Sequence, residues 1–187
     1  DTLRGIEALV FEDDEGPITV SRAGDTYTLS SSDGVDVIEI LSDADFVLEG
    51  EGSADQLIGD AGDDEISGGA GDDKLIGGAG DDFISGDGGA DEIHGDGCDD
   101  EIYGGAGDDV VYGGTGNDFI TVGVGDDLVH GGTGIDTIDG DAGDDEIHGG
   151  AEGDIISGGD DNDTIYGDDG ADNIHGDAGD DTVAVSY

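Results

Sequence analysis

The sequence predicts an all-β chain wound as a solenoid of short stacked strands, and three regularities in its 187 residues carry that expectation. From Gly50 to Ala184 the chain divides into fifteen nine-residue blocks without an insertion or a deletion. The eighth residue of every block is Leu, Ile or Val, and the sixth is always Asp. Glycine fills position 1 in fourteen blocks, Val122 being the exception, and position 4 in eleven, with Ser53, Cys98, Glu152 and Asp161 as exceptions.

Residues 1–30 precede the periodic part. The segment Gly5 to Gly16, then Ile18 to Val20 and Thr26 to Leu29, reads as short strands joined by polar turns, with Pro17 in a turn. This region is expected to form an N-terminal β cap or the end of a preceding repeat block. Residues 31–49 look like two degraded repeats. In 31–39, Gly34, Asp36 and Ile38 keep the spacing of positions 4, 6 and 8, and 40–48 retains Asp45 and Val47, with one extra residue at or near Glu49.

Residues 50–184 form the regular array. Position 2 is Gly in eight blocks, Asp in six and Glu51 once, a choice that suits a backbone at positive φ. The first six residues of each block therefore read as a tight turn. Positions 7 to 9 carry Ile, Val, Phe, Tyr and Thr, which favour extended backbone, giving a three-residue strand with its position-8 side chain turned inward. So short a strand is not stable alone and must stack on copies of itself. Residues 185–187 continue a final strand in which Val183, Val185 and Tyr187 alternate; no polar capping element follows, so the segment is expected to continue or to stack on something.

The blocks GDAGDDEIS (59–67), GGAGDDKLI (68–76), GGAGDDFIS (77–85) and GGAGDDVVY (104–112) follow the pattern Gly-Gly-x-Gly-x-Asp-x-aliphatic-x. The array resembles the RTX family of hemolysin-type calcium-binding nonapeptide repeats. The resemblance implies a right-handed parallel β-roll with two nonapeptides per turn and Ca²⁺ between the turn loops stacked along each side. It further implies that the carbonyl oxygens of Gly59, Gly68, Gly77, Gly86, Gly95, Gly104, Gly113, Gly131 and Gly140 join the carboxylates as ligands.

Position 6 supplies those carboxylates: Asp55, Asp64, Asp73, Asp82, Asp91, Asp100, Asp109, Asp118, Asp127, Asp136, Asp145, Asp154, Asp163, Asp172 and Asp181. If strands alternate between two sheets, equivalent carboxylates stack about 4.8 Å apart. Bare, each such pair costs on the order of 3 to 4 kcal/mol at an effective dielectric near 20. A bound cation removes that penalty. Oxygen donors in irregular glycine loops, with no His or Met in the turns, favour Ca²⁺ over zinc, copper or octahedral Mg²⁺. Columns of eight and seven loops give seven plus six, about thirteen, inter-loop sites. Fifteen inward aliphatic side chains are few for so long an ordered chain, so folding and Ca²⁺ binding are expected to form one equilibrium.

Composition limits the rest. The formal net charge of −49 argues against nucleic acid and other polyanions as partners. No apolar run is long enough to span a bilayer, and the first residues lack the pattern of a secretory signal. Cys98, the single cysteine, excludes an internal disulfide and replaces a repeat glycine. No base-oriented nucleophile or cofactor loop is present, so no catalytic role is expected.

Positions 7 and 9 face outward. One face carries Ile58, Ile76, His94, Tyr112, His130, His148, Tyr166 and Ala184 at position 9, and the other carries Ser67, Ser85, Tyr103, Thr121, Asp139, Ser157 and His175. Phe83, Phe119 and Ile155 lie at position 7 of that second face. These residues either fill exposed strand positions or pack on a neighbouring domain or subunit. A zinc site between His130 and His148 would have only two ligands. Blocks around Val122, Glu152 and Asp161 are candidates for altered ion binding.

The functional expectation is a non-enzymatic, calcium-binding structural module of a secreted or cell-surface protein, such as an adhesin, a surface-layer protein or an exported enzyme. Such a module stays unfolded in the cytosol, leaves by type I secretion as the resemblance implies, and folds outside. The alternative is a self-assembling extracellular protein that forms calcium-dependent filaments or lattices through uncapped ends.

Overall fold

A computed structural model describes residues 8–13, 19–23, 26–30, 34, 36–41 and 45–185. Pro17 and the final Ser186 and Tyr187 lie outside the described residues. Every regular element among the described residues is a strand. They alternate between two ten-stranded sheets: even-numbered strands from β4 (Asp36–Leu41) to β20 (Thr182–Val185) in one, odd-numbered strands from β3 (Thr26–Ser30) to β19 (Asn173–Ala178) in the other. Two further strands start the sheets. β1 (Ala8–Asp13) pairs antiparallel with β4, and β2 (Thr19–Ala23) antiparallel with β3.

All later pairings are parallel, and residue n faces residue n+18 from Gln56 onward, as in Ile93↔Val111 and Ile102↔Ile120, until a shift in the last pair sets Asp168 opposite Val185. Two nonapeptides thus make one turn of a β-solenoid. The position-8 side chains from both sheets meet in one core cluster, each 0–1 % exposed from Leu57 through Ile165. Single-file packing follows directly from the period: one inward aliphatic per strand, flanked by glycine.

The strands differ from the sequence expectation in length. β7 (Glu65–Ala70), β11 (Glu101–Ala106) and most others run six residues, from position 7 through position 3 of the next block. Positions 1 to 3 are backbone-paired to the neighbouring turn, which glycine's weak strand propensity conceals. The turn proper is confined to positions 4 to 6. Position 2 does hold positive φ in all fifteen blocks, for example Asp60 at 77° and Gly78 at 114°. Position 4 does so as well where glycine is replaced: Ser53, Cys98, Glu152 and Asp161 keep φ of 86°, 87°, 78° and 79°. The turn backbone therefore survives at these irregular blocks. Val122 folds its side chain fully into the core.

The degenerate repeats are placed differently in part. Ile38 pairs with Leu57, as its assignment to position 8 requires. In the next strand, however, Leu48 rather than Val47 pairs with Ile66 and is buried. Phe46 then occupies position 6 and Asp45 position 5, and the extra residue lies between Ile38 and Phe46 rather than near Glu49. Burial of Phe46, 1 % exposed, explains the shift: a large apolar side chain there contributes core that an aspartate would not.

On the outer face of the even-numbered sheet, His94, Tyr112, His130, His148 and Tyr166 stack as a continuous ring ladder. Centroid separations run from 4.5 to 5.2 Å and interplanar angles from 9° to 24°. Parallel pairing at eighteen-residue intervals places the rings one above another, close to the inter-strand spacing.

Candidate metal centre

Position-6 side chains turn inward where the chain leaves each turn. From Asp55 to Asp163 these aspartates are 0–4 % exposed. Each carboxylate is held by the backbone of the preceding turn: Oδ1 of Asp100 accepts the N–H of Asp82 at 2.9 Å, and Oδ1 of Asp109 that of Asp91 at 2.8 Å. The same bond repeats up both sides to Asp181, which accepts from Asp163 at 3.1 Å. The Asp backbone is used as well, since the carbonyl of Asp82 accepts the N–H of Glu101 at 2.8 Å. Asp172 and Asp181, in the last turn described, are only half-buried.

The second oxygen is different. From Asp64 to Asp163 every Oδ2 is buried with no hydrogen-bond partner. In every such block but that of Val122 it lies against the block's own position-1 glycine, in most near the position-1 carbonyl of the adjacent turn. A Cβ on Gly113 would stand 2.5 Å from Asp118 Oδ2 and 2.6 Å from the Gly131 carbonyl; on Gly131 it would stand 2.5 Å from both Asp136 Oδ2 and the Gly149 carbonyl. The absent side chain thus leaves a cradle lined by oxygen. Glycine at position 1 keeps this cradle open in fourteen blocks, and Val122, the exception, buries its side chain in the core.

Desolvation dominates the electrostatics. Burial pushes Asp64 and Asp100 from the ordinary 3.8 up to about 8, and Asp91 and Asp145 to about 7, against the opposing backbone hydrogen bond and with repulsion from neighbouring aspartates adding to the rise. Asp82, Asp109, Asp127, Asp136 and Asp154 reach about 6 for the same first cause. Asp73, Asp118 and Asp163 are also raised. A column of carboxylates in this state binds either protons or a cation.

A second, exposed ladder runs along position 5. Asp63 Oδ1 accepts the N–H of Asp81 at 3.1 Å, Asp99 that of Asn117 at 2.7 Å, and Asp126 that of Asp144 at 3.0 Å. Its direction is opposite, because each position-5 side chain reaches the following turn. Among the described residues no three His, Cys, Asp or Glu side chains converge on one point. Any ion in the turns would draw on carboxylates of adjacent loops and on backbone carbonyls, an all-oxygen donor set that suits a hard divalent cation.

The family model described as RTX calcium-binding nonapeptide repeat (4 copies) matches residues 49–84, 67–100, 85–120, 121–156 and 148–183. The chain belongs to the RTX calcium-binding repeat family. It is a calcium-binding repeat module folded as a parallel β-solenoid. No curated protein matches it.

Within the RTX array, the anticipated position-6 aspartates from Asp55 to Asp163 occupy equivalent buried places, while Asp172 and Asp181 are half-buried. The nine anticipated glycines lie beside them. The cradle extends further than sequence reasoning reached: Gly50, Gly149 and Gly158 sit against Oδ2 of Asp55, Asp154 and Asp163, and the carbonyl of Val122 lies 2.6 Å from the Cβ position of Gly104. The position-5 ladder was missed entirely, although Asp or Asn at ten of fifteen such positions signals it. His130 and His148 stack face to face at 4.7 Å, an arrangement that does not converge two imidazole lone pairs on one ion.

Proposed function

We propose that this RTX module folds as Ca²⁺ enters its turn columns, and that it serves as a calcium-responsive structural part of an exported or cell-surface protein. The buried, unpartnered Oδ2 that recurs from Asp64 to Asp163 carries this reading. An ionised oxygen withdrawn from water without a donor costs several kcal/mol, so a column of them disfavours the folded chain until a cation arrives. The position-6 carboxylates would hold the ions, completed by position-1 carbonyls such as those of Gly59, Gly68 and Gly131. Bound Ca²⁺ supplies the positive charge that lets stacked carboxylates remain ionised in the fold.

The chain's own residues do the remainder. Oδ1 of each aspartate stays fixed by the preceding turn, which orients Oδ2 toward the cradle, and glycine at position 1 keeps the cradle open. In low-calcium cytosol the module remains unfolded and fit for export; outside the cell millimolar Ca²⁺ drives the roll to form. About thirteen inter-loop sites are expected from fifteen loops stacked in two columns of eight and seven. Far-UV circular dichroism at pH 7.5 tests the coupling: coil in chelator, β structure in millimolar Ca²⁺, with equilibrium dialysis counting the ions. Full β structure in chelator at that pH would sink the proposal.

A further inference from the structure

The outer face of the odd-numbered sheet carries an alternating column at position 7. Parallel pairing sets Glu65 beside Phe83, Phe83 beside Glu101, and Glu101 beside Phe119. The two phenylalanines are 40 % and 43 % exposed, unusual for rings on so acidic a surface. Tyr103 stands in the adjacent column, its ring centroid 5.5 Å from Phe83 and 6.3 Å from Phe119, and its hydroxyl donates to Glu101 Oε1 at 2.6 Å. Three rings thus frame one oriented carboxylate.

From this juxtaposition we infer that the Glu65–Phe83–Glu101–Phe119 column is a docking surface for arginine side chains of a basic peptide segment. Phe83 and Phe119, both neighbours of Glu101, stand roughly 9 to 10 Å apart at the inter-strand spacing, so a cation above Glu101 lies within about 6 Å of both rings. A guanidinium uses both kinds of neighbour at once, stacking on the ring and directing its fork of N–H donors to the carboxylate. An ammonium has no flat face to stack. Hydrated Ca²⁺ gains nothing from aromatic neighbours and finds one carboxylate where it needs several oxygens.

Charge complementarity identifies the occupant further. With 3 Lys and Arg against 52 Asp and Glu, a second copy of this chain supplies almost no cations for the column. Lys74, the only basic residue after residue 22, sits on the opposite sheet and pairs with Glu92. The occupant is therefore a basic polypeptide segment lying outside these 187 residues.

The test is NMR titration of the calcium-saturated chain with a blocked Gly-Arg-Gly-Arg-Gly peptide and its Gly-Lys-Gly-Lys-Gly counterpart, at 0.15 and 0.5 M salt. The arginine peptide is expected to give saturable shifts at Phe83, Glu101, Tyr103 and Phe119 that persist at the higher salt, where diffuse attraction is screened. It is expected to bind roughly two- to fivefold tighter than the lysine peptide, the scale of one exposed cation–π contact. Phe119→Leu, Phe83→Leu and Glu101→Gln should each weaken it by a similar factor, and Tyr112→Leu on the other sheet should not. Equal binding of both peptides, shifts scattered along the acidic turns, or indifference to the two Phe→Leu variants would each overturn the inference.

Discussion

Asp100 accepts the backbone N–H of Asp82, one full turn earlier, through Oδ1 at 2.9 Å and leaves Oδ2 buried against Gly95. One oxygen is satisfied by the fold and the other awaits a proton or a metal ion. Acid, calcium and mutation all act on that second oxygen.

In chelator, acid should fold the chain. The position-6 aspartates have folded-state values raised above the ordinary 3.8, with Asp64 and Asp100 at about 8 and Asp82 and Asp127 at about 6. Raised values mean that the ion-free roll binds protons more tightly than the unfolded chain. Its stabilisation is full below the ordinary value and is lost as pH rises through about 6 to about 8. Circular dichroism in EDTA should show β structure growing from pH 8 to pH 4, with sedimentation to exclude aggregates. Growth in the opposite direction would contradict the buried column.

Asp100→Asn should change sign with calcium. It removes one anionic oxygen from the column but keeps the side-chain acceptor for Asp82. With Ca²⁺ the variant loses a charged ligand and is destabilised by about 1.5 to 3 kcal/mol. In chelator at neutral pH the fold no longer has to take up a proton at this site, so the variant gains β structure relative to the parent. Thermal unfolding in both buffers measures the pair.

Two glycines of similar appearance should behave differently. Gly113→Ala places a Cβ 2.5 Å from Asp118 Oδ2 and 2.6 Å from the Gly131 carbonyl, so backbone must shift and a cost of about 3 kcal/mol is expected. Gly97→Ala meets nothing closer than Thr115 Oγ1 at 3.4 Å and should lie within about 1 kcal/mol of the parent. Calcium-saturated melting curves distinguish the two.

The ring ladder makes a local prediction. Burial, then the neighbouring His148 imidazole, hold His130 below the ordinary 6.5, against pulls from Glu146 and Asp168. His148→Ala removes a like charge stacked at 4.7 Å and should raise the value for His130 in an NMR titration. A further fall would show that the second imidazole does not hold the value down.

The array was largely legible because its period is strict: position 8 gave the core, position 6 the buried column, and the Gly or Asp of position 2 the positive φ. What escaped was carried by backbone rather than side-chain type. Positions 1 to 3 pair as strand through glycine, which no propensity reveals. Phe46 at a position otherwise reserved for aspartate shifted the apparent register by one, since Asp45 and Val47 imitate the spacing one residue early. The position-5 ladder lay in plain view as Asp63, Asp81 and Asp99, yet its function depends on reaching the next turn, a distance invisible within one block.

The pairing of residue n with n+18 also sets how the molecule yields to force. Its inter-turn hydrogen bonds lie along the long axis, so tension between the two ends loads them head-on and not in shear. Turns should peel away singly, each releasing eighteen residues, roughly 60 Å of extended chain for about 4.8 Å of lost height. Such a rod behaves as a sequential extensible tether, shedding load one coil at a time.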